Sequence, residues 1–264
     1  MRDGWRLAFG TLSILPVRTG RVDRQTAGRA MELAPLVGLV LGLLAATVLF
    51  AGRLAFGSAY IPPVLAIASL AWFTRGLHLD GLADLVDGLG SRKDPEGARA
   101  VMKDPGVGAF GVIWLVFVPL AQVLALLTCV SQGRGTASLL LAVTTGRIAI
   151  TAACRSTPAA TETGLGALVA GTVRRGITSA WLLLVPAFAG YALYDPDAVG
   201  NDSFRVIRTV LAPLIALWVV RGVRNRAVRR IGGLTGDVLG AICELATTVC
   251  LLVLALPGNH DHPL

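Results

Sequence analysis

The sequence predicts an all-α, polytopic integral membrane protein: a bundle of about seven transmembrane helices, within a range of six to eight. Of its 264 residues, 54% are hydrophobic and only 15% are charged, whereas soluble domains average about 25% charged residues. Long stretches lack Asp, Glu, Lys and Arg altogether, namely 33–52, 54–74, 105–133 and 176–194. Each matches or approaches the roughly 20 residues that cross a bilayer. A water-soluble globule is therefore not expected.

Seven spans account for the apolar stretches: residues 33–52, 59–74, 107–130, 137–154, 177–194, 206–220 and 238–256. In the first, Gly38 and Gly42 form a small-xxx-small pair that lets helices approach closely. The sixth has only the 12 charge-free residues 209–220, a length also typical of a re-entrant segment. These short-looped helices fill the chain, so we predict a single integral membrane domain over residues 1–264, with an interfacial element in its first 32 residues.

The basic residues predict the orientation of the bundle. Of the 24 Lys and Arg residues, 19 lie in four alternate segments, 1–32, 75–103, 155–175 and 221–230. Because cytoplasmic loops retain cationic residues, we expect the N-terminus and these segments in the cytoplasm and the C-terminal tail outside. The net charge of +8 is thus explained by membrane topology and does not predict nucleic-acid binding.

Three aspartates follow the second predicted span. Asp80, Asp84 and Asp87 are spaced i, i+4 and i+7, so a helix through this segment would place them on one face. Like charges at this spacing repel, and carboxylates that share a phosphate substrate are ligands that Mg²⁺ prefers. We therefore predict Mg²⁺ bound to a diphosphate here; the alternative is a solvated helix face. On an ideal helix His78 projects away from Asp80. It is either a proton acceptor or a structural residue.

A second cluster enters the third span. Lys103 and Asp104 precede a Pro- and Gly-rich segment, so a regular helix is not expected before about Gly108. Exposed backbone N–H groups beside Lys103 could hold phosphate oxygens. The alternative is a glycine-rich turn capped by Asp104.

A third cluster leads into the last span. Asp237 and Glu244 lie seven residues apart, on one helix face, and Gly236 is among the glycines that let this face pack closely. Glu244 falls within the membrane, where a carboxylate is costly and predicts a functional site. We expect Arg147 of the fourth span as its partner, in a functional or a purely structural pair. All three clusters are predicted on the cytoplasmic side, where they can form one site.

Taken together, these motifs resemble the cobalamin synthase family, adenosylcobinamide-GDP ribazoletransferase. The resemblance is carried, in order along nearly the whole chain, by His78-x-Asp80-Gly81-x-x-Asp84-x-x-Asp87, by Met102-Lys103-Asp104 with Gly108-x-Phe110-Gly111, and by Gly233-x-Thr235-Gly236-Asp237-x-x-Gly240 with Glu244. The family often has Ser at the position of Gly146. The three motifs are specific together, whereas any one of them alone is not.

The resemblance implies a Mg²⁺-dependent phosphotransferase that crosses the bacterial cytoplasmic (inner) membrane several times. Such an enzyme transfers the cobinamide-phosphate moiety of adenosylcobinamide-GDP to α-ribazole or its 5′-phosphate, releasing GMP in the last steps of cobalamin (vitamin B12) biosynthesis. Its active site is expected on the cytoplasmic side. The implied partners are these substrates and the lipid bilayer, without nucleic acid; whether the bundle forms a homo-oligomer stays open.

For this reaction we assign roles to the predicted residues. Metal ligands are expected at Asp80, Asp84, Asp87 and Asp104. Catalytic residues are expected at Asp80, Asp84, Asp87 and His78, one of which accepts the proton of the attacking hydroxyl. Substrate contacts are expected at Lys103, Asp104, Gly108, Arg147, Gly236, Asp237 and Glu244.

Two other functions are alternatives. A CDP-alcohol phosphotransferase-like enzyme also places aspartates at a membrane boundary, but its Asp-Gly-x-x-Ala-Arg pattern fails here, because Asp84 and Leu85 replace the Ala and Arg. A secondary transporter could use Glu244 and Arg147 within the bundle. Transporters often have related halves, whereas the acidic segment has no counterpart in the C-terminal half.

Overall fold

The computed structural model describes residues 2–18, 20–192 and 202–257. Within these ranges the chain forms twelve α-helices, and its β-structure is limited to one isolated bridge between Ala159 and Leu234. The helices are α1 Arg2–Leu12, α2 Arg24–Glu32, α3 Ala34–Phe56, α4 Ile61–Phe73, α5 Leu77–Gly90, α6 Pro95–Met102, α7 Ala109–Ser131, α8 Gly135–Ser156, α9 Gly164–Val169, α10 Ile177–Ala192, α11 Asp202–Ile231 and α12 Gly236–Leu254. The predicted all-α membrane bundle is confirmed.

Every predicted span corresponds to a helix. Four helices, α3, α7, α8 and α12, are long and apolar enough to cross a membrane, and α4 and α10 are shorter apolar helices at the second and fifth spans. The predicted break at the start of α7 is also confirmed, since this helix begins at Ala109 with Gly108 as its N-cap. Residues 193–194 of the fifth span and residues 258–264 of the predicted external tail lie outside the described ranges.

The sixth span differs from its prediction. Residues 221–230 were expected to form a loop, but they are the last turns of α11, which runs unbroken through 30 residues, or about 45 Å. Arginine is a good helix former, so its five copies in this segment do not end the helix. The helix ends only before Gly232 and Gly233, both at positive φ. The prediction of a loop is wrong, because charged residues do not by themselves interrupt a helix.

Helix α8 lies at the centre of the bundle, between α3 and α12. A Cβ atom added to Gly38 of α3 would approach the Cα of Thr144 to 3.0 Å. On the other side, a Cβ atom on Gly146 would come within 2.8 Å of the Cys243 carbonyl oxygen of α12. Small residues therefore allow the close helix contacts that packing in a membrane requires, as the small-xxx-small pair predicted.

The acidic helix is separate from the span before it. After Phe73, the backbone N–H groups of Arg75 and Gly76 donate to the carbonyls of Trp72 and Ala71, at 3.0 and 2.8 Å. Arg75 and Gly76 both have positive φ, 55° and 69°. This is the hydrogen-bond pattern of a Schellman motif, which ends a helix. Helix α5 thus starts afresh and is free to take its own direction.

Glycines bring α5 into direct contact with α12. A Cβ atom on Gly81 would lie 2.8 Å from the Cα of Asp237, and one on Gly240 would lie 3.1 Å from the Cα of His78. Backbone atoms cannot yield as the end of a flexible side chain can. This contact therefore fixes the first and third sequence clusters against each other.

A methyl group at this contact should destabilise the protein. We expect Gly81→Ala to cost about 1–3 kcal/mol through overpacking. The control is Gly222→Ala in α11, because nothing lies within 4 Å of a Cβ atom there and alanine is the better helix former. The thermal unfolding midpoint of each purified variant in detergent measures the difference. Equal midpoints for both variants would contradict the close α5–α12 contact.

Candidate functional site

The three aspartates occupy one face of a regular helix, as predicted. Helix α5 spans Leu77–Gly90, and its Leu82 and Leu85 are fully buried. Asp80 is exposed, while Asp84 and Asp87 are half-buried. The apolar side of α5 therefore anchors it in the bundle and leaves the carboxylates at its surface.

Asp87 connects the first cluster to the second. Its two carboxylate oxygens accept hydrogen bonds from the backbone N–H groups of Gly108, at 2.8 Å, and Gly111, at 3.0 Å. These donors are at the N-terminus of α7, so Asp87 caps that helix from a distance. A Cβ atom at Gly108 would lie only 2.5 Å from Asp87 Oδ1, so a larger residue here would displace this carboxylate from the start of α7. The structure assigns Asp87 a positioning role; its metal and catalytic roles, like the substrate role of Gly108, stay predictions.

Asp80 and Asp84 differ from Asp87 in that neither carboxylate accepts a hydrogen bond from the described residues. The pKa of Asp84 is raised from 3.8 to about 6, first by its partial burial and then by repulsion from Asp80, Asp237 and Asp87. Asp237, from α12, is half-buried and has one weak bond, accepted from the Thr235 hydroxyl at 3.3 Å. We call Asp80, Asp84 and Asp237 together the carboxylate cluster.

The carboxylate cluster does not form a complete metal site by itself. Among the described residues, no three His, Cys, Asp or Glu side chains converge closely enough to hold an ion. Mg²⁺, however, is commonly held by one or two carboxylates together with substrate phosphates and water. The uncommitted oxygens of Asp80 and Asp84 fit that requirement.

Asp104 has the role given by the alternative prediction for its cluster. Its Oδ1 accepts a hydrogen bond from the backbone N–H of Gly106 at 3.0 Å, and the residue is exposed. It therefore caps the glycine-rich turn before α7. Its roles as metal ligand and substrate contact stay predictions.

A cavity of about 220 Å³ lies at the N-terminus of α12. It brings together the predicted residues Lys103, Gly236 and Asp237. Its lining also includes residues that the sequence analysis missed, Arg99, Thr161 and Thr163. They come from α6 and from the α8–α9 loop, and no spacing in the sequence connects these segments with α12.

Backbone hydrogen bonds fix the walls of this cavity. Leu234 donates to the Pro158 carbonyl at 2.8 Å, and Ala160 donates to the Leu234 carbonyl at 3.2 Å. Arg99 donates to the Ile231 carbonyl at 2.7 Å. A Cβ atom on Gly166 would overlap the Leu234 carbonyl oxygen, at 1.9 Å. The loop before α12 is thus held on two sides.

Asp80 lines a second, wider cavity of about 510 Å³ at the start of α5. This cavity is also bordered by Thr11, Arg75 and Val107. The carboxylate cluster therefore borders two cavities, one through Asp80 and the other through Asp237. Such an arrangement suits the joining of two substrates.

Arg147, Glu244 and His78 lie apart, inside the bundle. Arg147 and Glu244 line a cavity of about 190 Å³, but the predicted direct ion pair between them is not formed in the described contacts. Instead, Glu244 accepts a hydrogen bond from Gln122 of α7 at 2.9 Å. Gln122 could not be predicted from the sequence, because an isolated amide in an apolar span has no spacing signal. The substrate roles of Arg147 and Glu244 stay predictions.

His78 is buried, at 2% exposure, beside Gly240. Neither of its ring nitrogens has a hydrogen-bond partner among the described residues. It faces α12, whereas the aspartates occupy another side of α5, as the helical spacing predicted. Its role as a proton acceptor stays a prediction.

The chain matches the family model described as cobalamin-5-phosphate synthase over residues 4–255. It belongs to this family.

Curated relatives are similar over nearly their whole lengths. An adenosylcobinamide-GDP ribazoletransferase of Frankia casuarinae is 46% identical, covering 95% of this chain and 94% of the relative. Proteins of the same name from Nocardioides sp. and Pseudomonas fluorescens are 44% and 34% identical; the matches cover 97% and 95% of this chain, and 99% and 98% of the relatives. No solved structure matches. The matches do not support the CDP-alcohol phosphotransferase or transporter alternatives.

The raised pKa of Asp84 predicts how stability depends on pH. Between pH 3.8 and about 6, Asp84 in the folded protein retains a proton that it has lost in the unfolded chain. Its free energy of unfolding therefore falls as the pH rises through this window, and the loss is complete above pH 6.

We expect Asp84→Asn to relieve this loss. At pH 7.5 the variant should be more stable than the wild type by about 1 kcal/mol, a value reduced for solvent screening at this partly exposed site. Near pH 4 the gain should disappear. Thermal unfolding with a chelator present, at both pH values, provides the measurement. A gain of the same size at pH 4 would contradict the electrostatic origin.

Proposed function

We propose that this chain is an adenosylcobinamide-GDP ribazoletransferase. It transfers the cobinamide-phosphate moiety of adenosylcobinamide-GDP to a hydroxyl of α-ribazole or α-ribazole 5′-phosphate. The products are GMP and adenosylcobalamin or its 5′-phosphate. The names of relatives that align over nearly the whole chain support this function. The main structural observation behind this proposal is the carboxylate cluster, which two helices place between two cavities.

The chemistry suits the arrangement of charges. Phosphoryl transfer requires positioning and electrostatic stabilisation far more than covalent catalysis. In our proposal Asp80 and Asp84 would hold Mg²⁺, and the diphosphate and water would fill its remaining coordination sites. When bound, the ion neutralises charge on the phosphoryl oxygens and orients them. The unpaired oxygens of Asp80 and Asp84 support this assignment.

The cavity at the N-terminus of α12 is proposed to receive the diphosphate. Lys103 and Arg99 bring positive charge to its wall, and the first N–H groups of α12 add a favourable dipole. The wider cavity beside Asp80 and Arg75 is left for the second substrate. One carboxylate of the carboxylate cluster then accepts the proton of the attacking hydroxyl. His78 suits this step less well, because it is buried against α12.

We also propose that the site faces the cytoplasm at the inner membrane. The carboxylate cluster and Lys103 belong to segments on the side of the bundle that carries most of the arginines. The distribution of basic residues supports this orientation through the retention of cations in the cytoplasm.

Replacing Asp84 should abolish turnover. We expect Asp84→Asn to release no GMP from adenosylcobinamide-GDP and α-ribazole, because a neutral amide is a poor ligand for Mg²⁺ and a poor proton acceptor. Purified protein is assayed with and without Mg²⁺, and Glu96→Gln, an exposed acid of α6, serves as the control. Since Asp84→Asn should be more stable at neutral pH, unfolding would not explain the loss. Unchanged GMP release would reject the assigned role of Asp84.

Lys103 should act mainly on substrate binding. We expect Lys103→Gln to raise the KM for adenosylcobinamide-GDP about tenfold, since charge-assisted hydrogen bonds are typically worth this much or more. The kcat should change less, because Lys103 contacts the diphosphate away from the attacking hydroxyl. Lys93, the only other lysine of the chain, is exposed and gives the matched control Lys93→Gln. Equal KM values for the two variants would remove Lys103 from the site.

A further inference from the structure

A basic cavity of about 360 Å³ lies away from the proposed active site, where α2 meets the α9–α10 loop. It is lined by Arg24, Gln25, Arg29, Glu32, Gly171, Thr172 and Arg174. None of these residues has a part in the reaction proposed above. We call this cavity the arginine cavity.

Two of its guanidinium groups are held in place by the protein. Arg24 donates to the carbonyl oxygens of Ala167 and Ala170 at the end of α9. Arg174 binds Glu32 with two side-chain hydrogen bonds of 2.8 Å, and its backbone N–H adds a third of 3.0 Å. These bonds lower the pKa of Glu32 and keep it ionised. The positive charges are thus presented at fixed positions before any ligand arrives.

The arginine cavity has an excess of positive charge. Its three guanidinium groups face a single carboxylate, Glu32, and that carboxylate is engaged by Arg174. Arg29 is exposed and makes no hydrogen bond or ion pair with the described residues. Arg24 has backbone carbonyls as partners and forms no ion pair with another described residue. An anion would therefore complete the cavity.

The cavity lies at the membrane boundary. Glu32 ends α2 two residues before α3, one of the helices long enough to span a membrane, and Arg174 lies three residues before α10. The indole of Trp181 donates to the Glu32 carbonyl at 3.0 Å, and tryptophan is enriched at the membrane–water interface. Further along α10, Leu183 and Leu184 are largely exposed, as expected of a face that contacts lipid.

The neighbouring helix α1 has the character of an interfacial helix. Its Gly4 lies against Arg29 of α2, where an added Cβ atom would come within 2.9 Å of the Arg29 Cβ. Trp5 and Phe9 make an edge-to-face contact, and Arg6 lies over the Trp5 ring at 5.8 Å. An aromatic surface with adjacent arginines is typical of helices that lie among lipid headgroups. It borders the arginine cavity on the side of α2.

We propose that the arginine cavity binds the phosphate of an anionic phospholipid. Pre-positioned guanidinium groups bind phosphate oxygens with good geometry, and basic pockets at the cytoplasmic ends of transmembrane helices recognise anionic headgroups. A zwitterionic lipid brings its own cation and gains less from the excess charge. The boundary position and the flanking aromatic and aliphatic surface favour a lipid over a soluble phosphate, because acyl chains can lie along α10.

Lipid retention by the full-length protein tests this proposal without measuring enzyme activity. Purified protein in mixed micelles with phosphatidylglycerol is analysed by native mass spectrometry, and phosphatidylcholine is the comparison lipid. We expect phosphatidylglycerol to be retained in preference, and Arg29→Gln to retain it about fivefold less, the typical contribution of one arginine near a lipid surface. Arg29→Lys, which keeps the charge, should retain most of the binding.

Arg229→Gln is the matched control, since it removes an exposed arginine from the same side of the membrane, on α11, outside the cavity. It should retain phosphatidylglycerol as the wild type does. Equal retention by Arg29→Gln and the wild type would overturn the proposal, as would equal losses in Arg29→Gln and Arg229→Gln. Displacement of the lipid by inorganic phosphate at the same concentration would instead identify a site for soluble phosphate.

Discussion

The contact between α5 and the start of α12 is the constraint on which the rest of the site depends. Gly81 lies against the backbone of Asp237, and Gly240 lies against that of His78. Without side chains at these two positions, the helices approach closely enough for Asp237 to act electrostatically on Asp84. The resulting repulsion is unfavourable, so the apolar packing of α5 must offset it. A bound cation would relieve it, so the close packing of the two helices and the proposed metal-dependent chemistry are linked.

Three aspartates on one helix face have different environments because their partners come from distant parts of the chain. Asp87 meets the N-terminus of α7, where two N–H groups occupy its oxygens. Asp84 meets other carboxylates, and Asp80 is exposed beside the wider cavity. One carboxylate is therefore used to position a helix, while the others remain open to a ligand. Helical periodicity explains their shared face, and tertiary contacts explain their separate roles.

The sequence predicted what depends on local pattern. Composition indicated the membrane bundle, the i, i+4, i+7 spacing indicated the aspartate face, and the Pro- and Gly-rich segment indicated the start of α7 near Gly108. It did not predict what depends on contacts between distant segments: the capping role of Asp87, the Gln122–Glu244 hydrogen bond in place of an ion pair with Arg147, and Thr161 in the wall of the cavity at the N-terminus of α12. The loop expected at 221–230 was wrong because arginine-rich sequence is compatible with helix.

Chemical cross-linking between α5 and α12 tests the central contact most directly. Asp84→Cys and Asp237→Cys are combined in one chain, whose four native cysteines are all buried, and the membranes are treated with a short bifunctional thiol reagent. If the two helices meet as described, the reagent should join the pair within one chain, as mass spectrometry of the linked peptides would show. No linkage, with the two cysteines labelled by impermeant reagents from opposite sides of the membrane, would contradict the account.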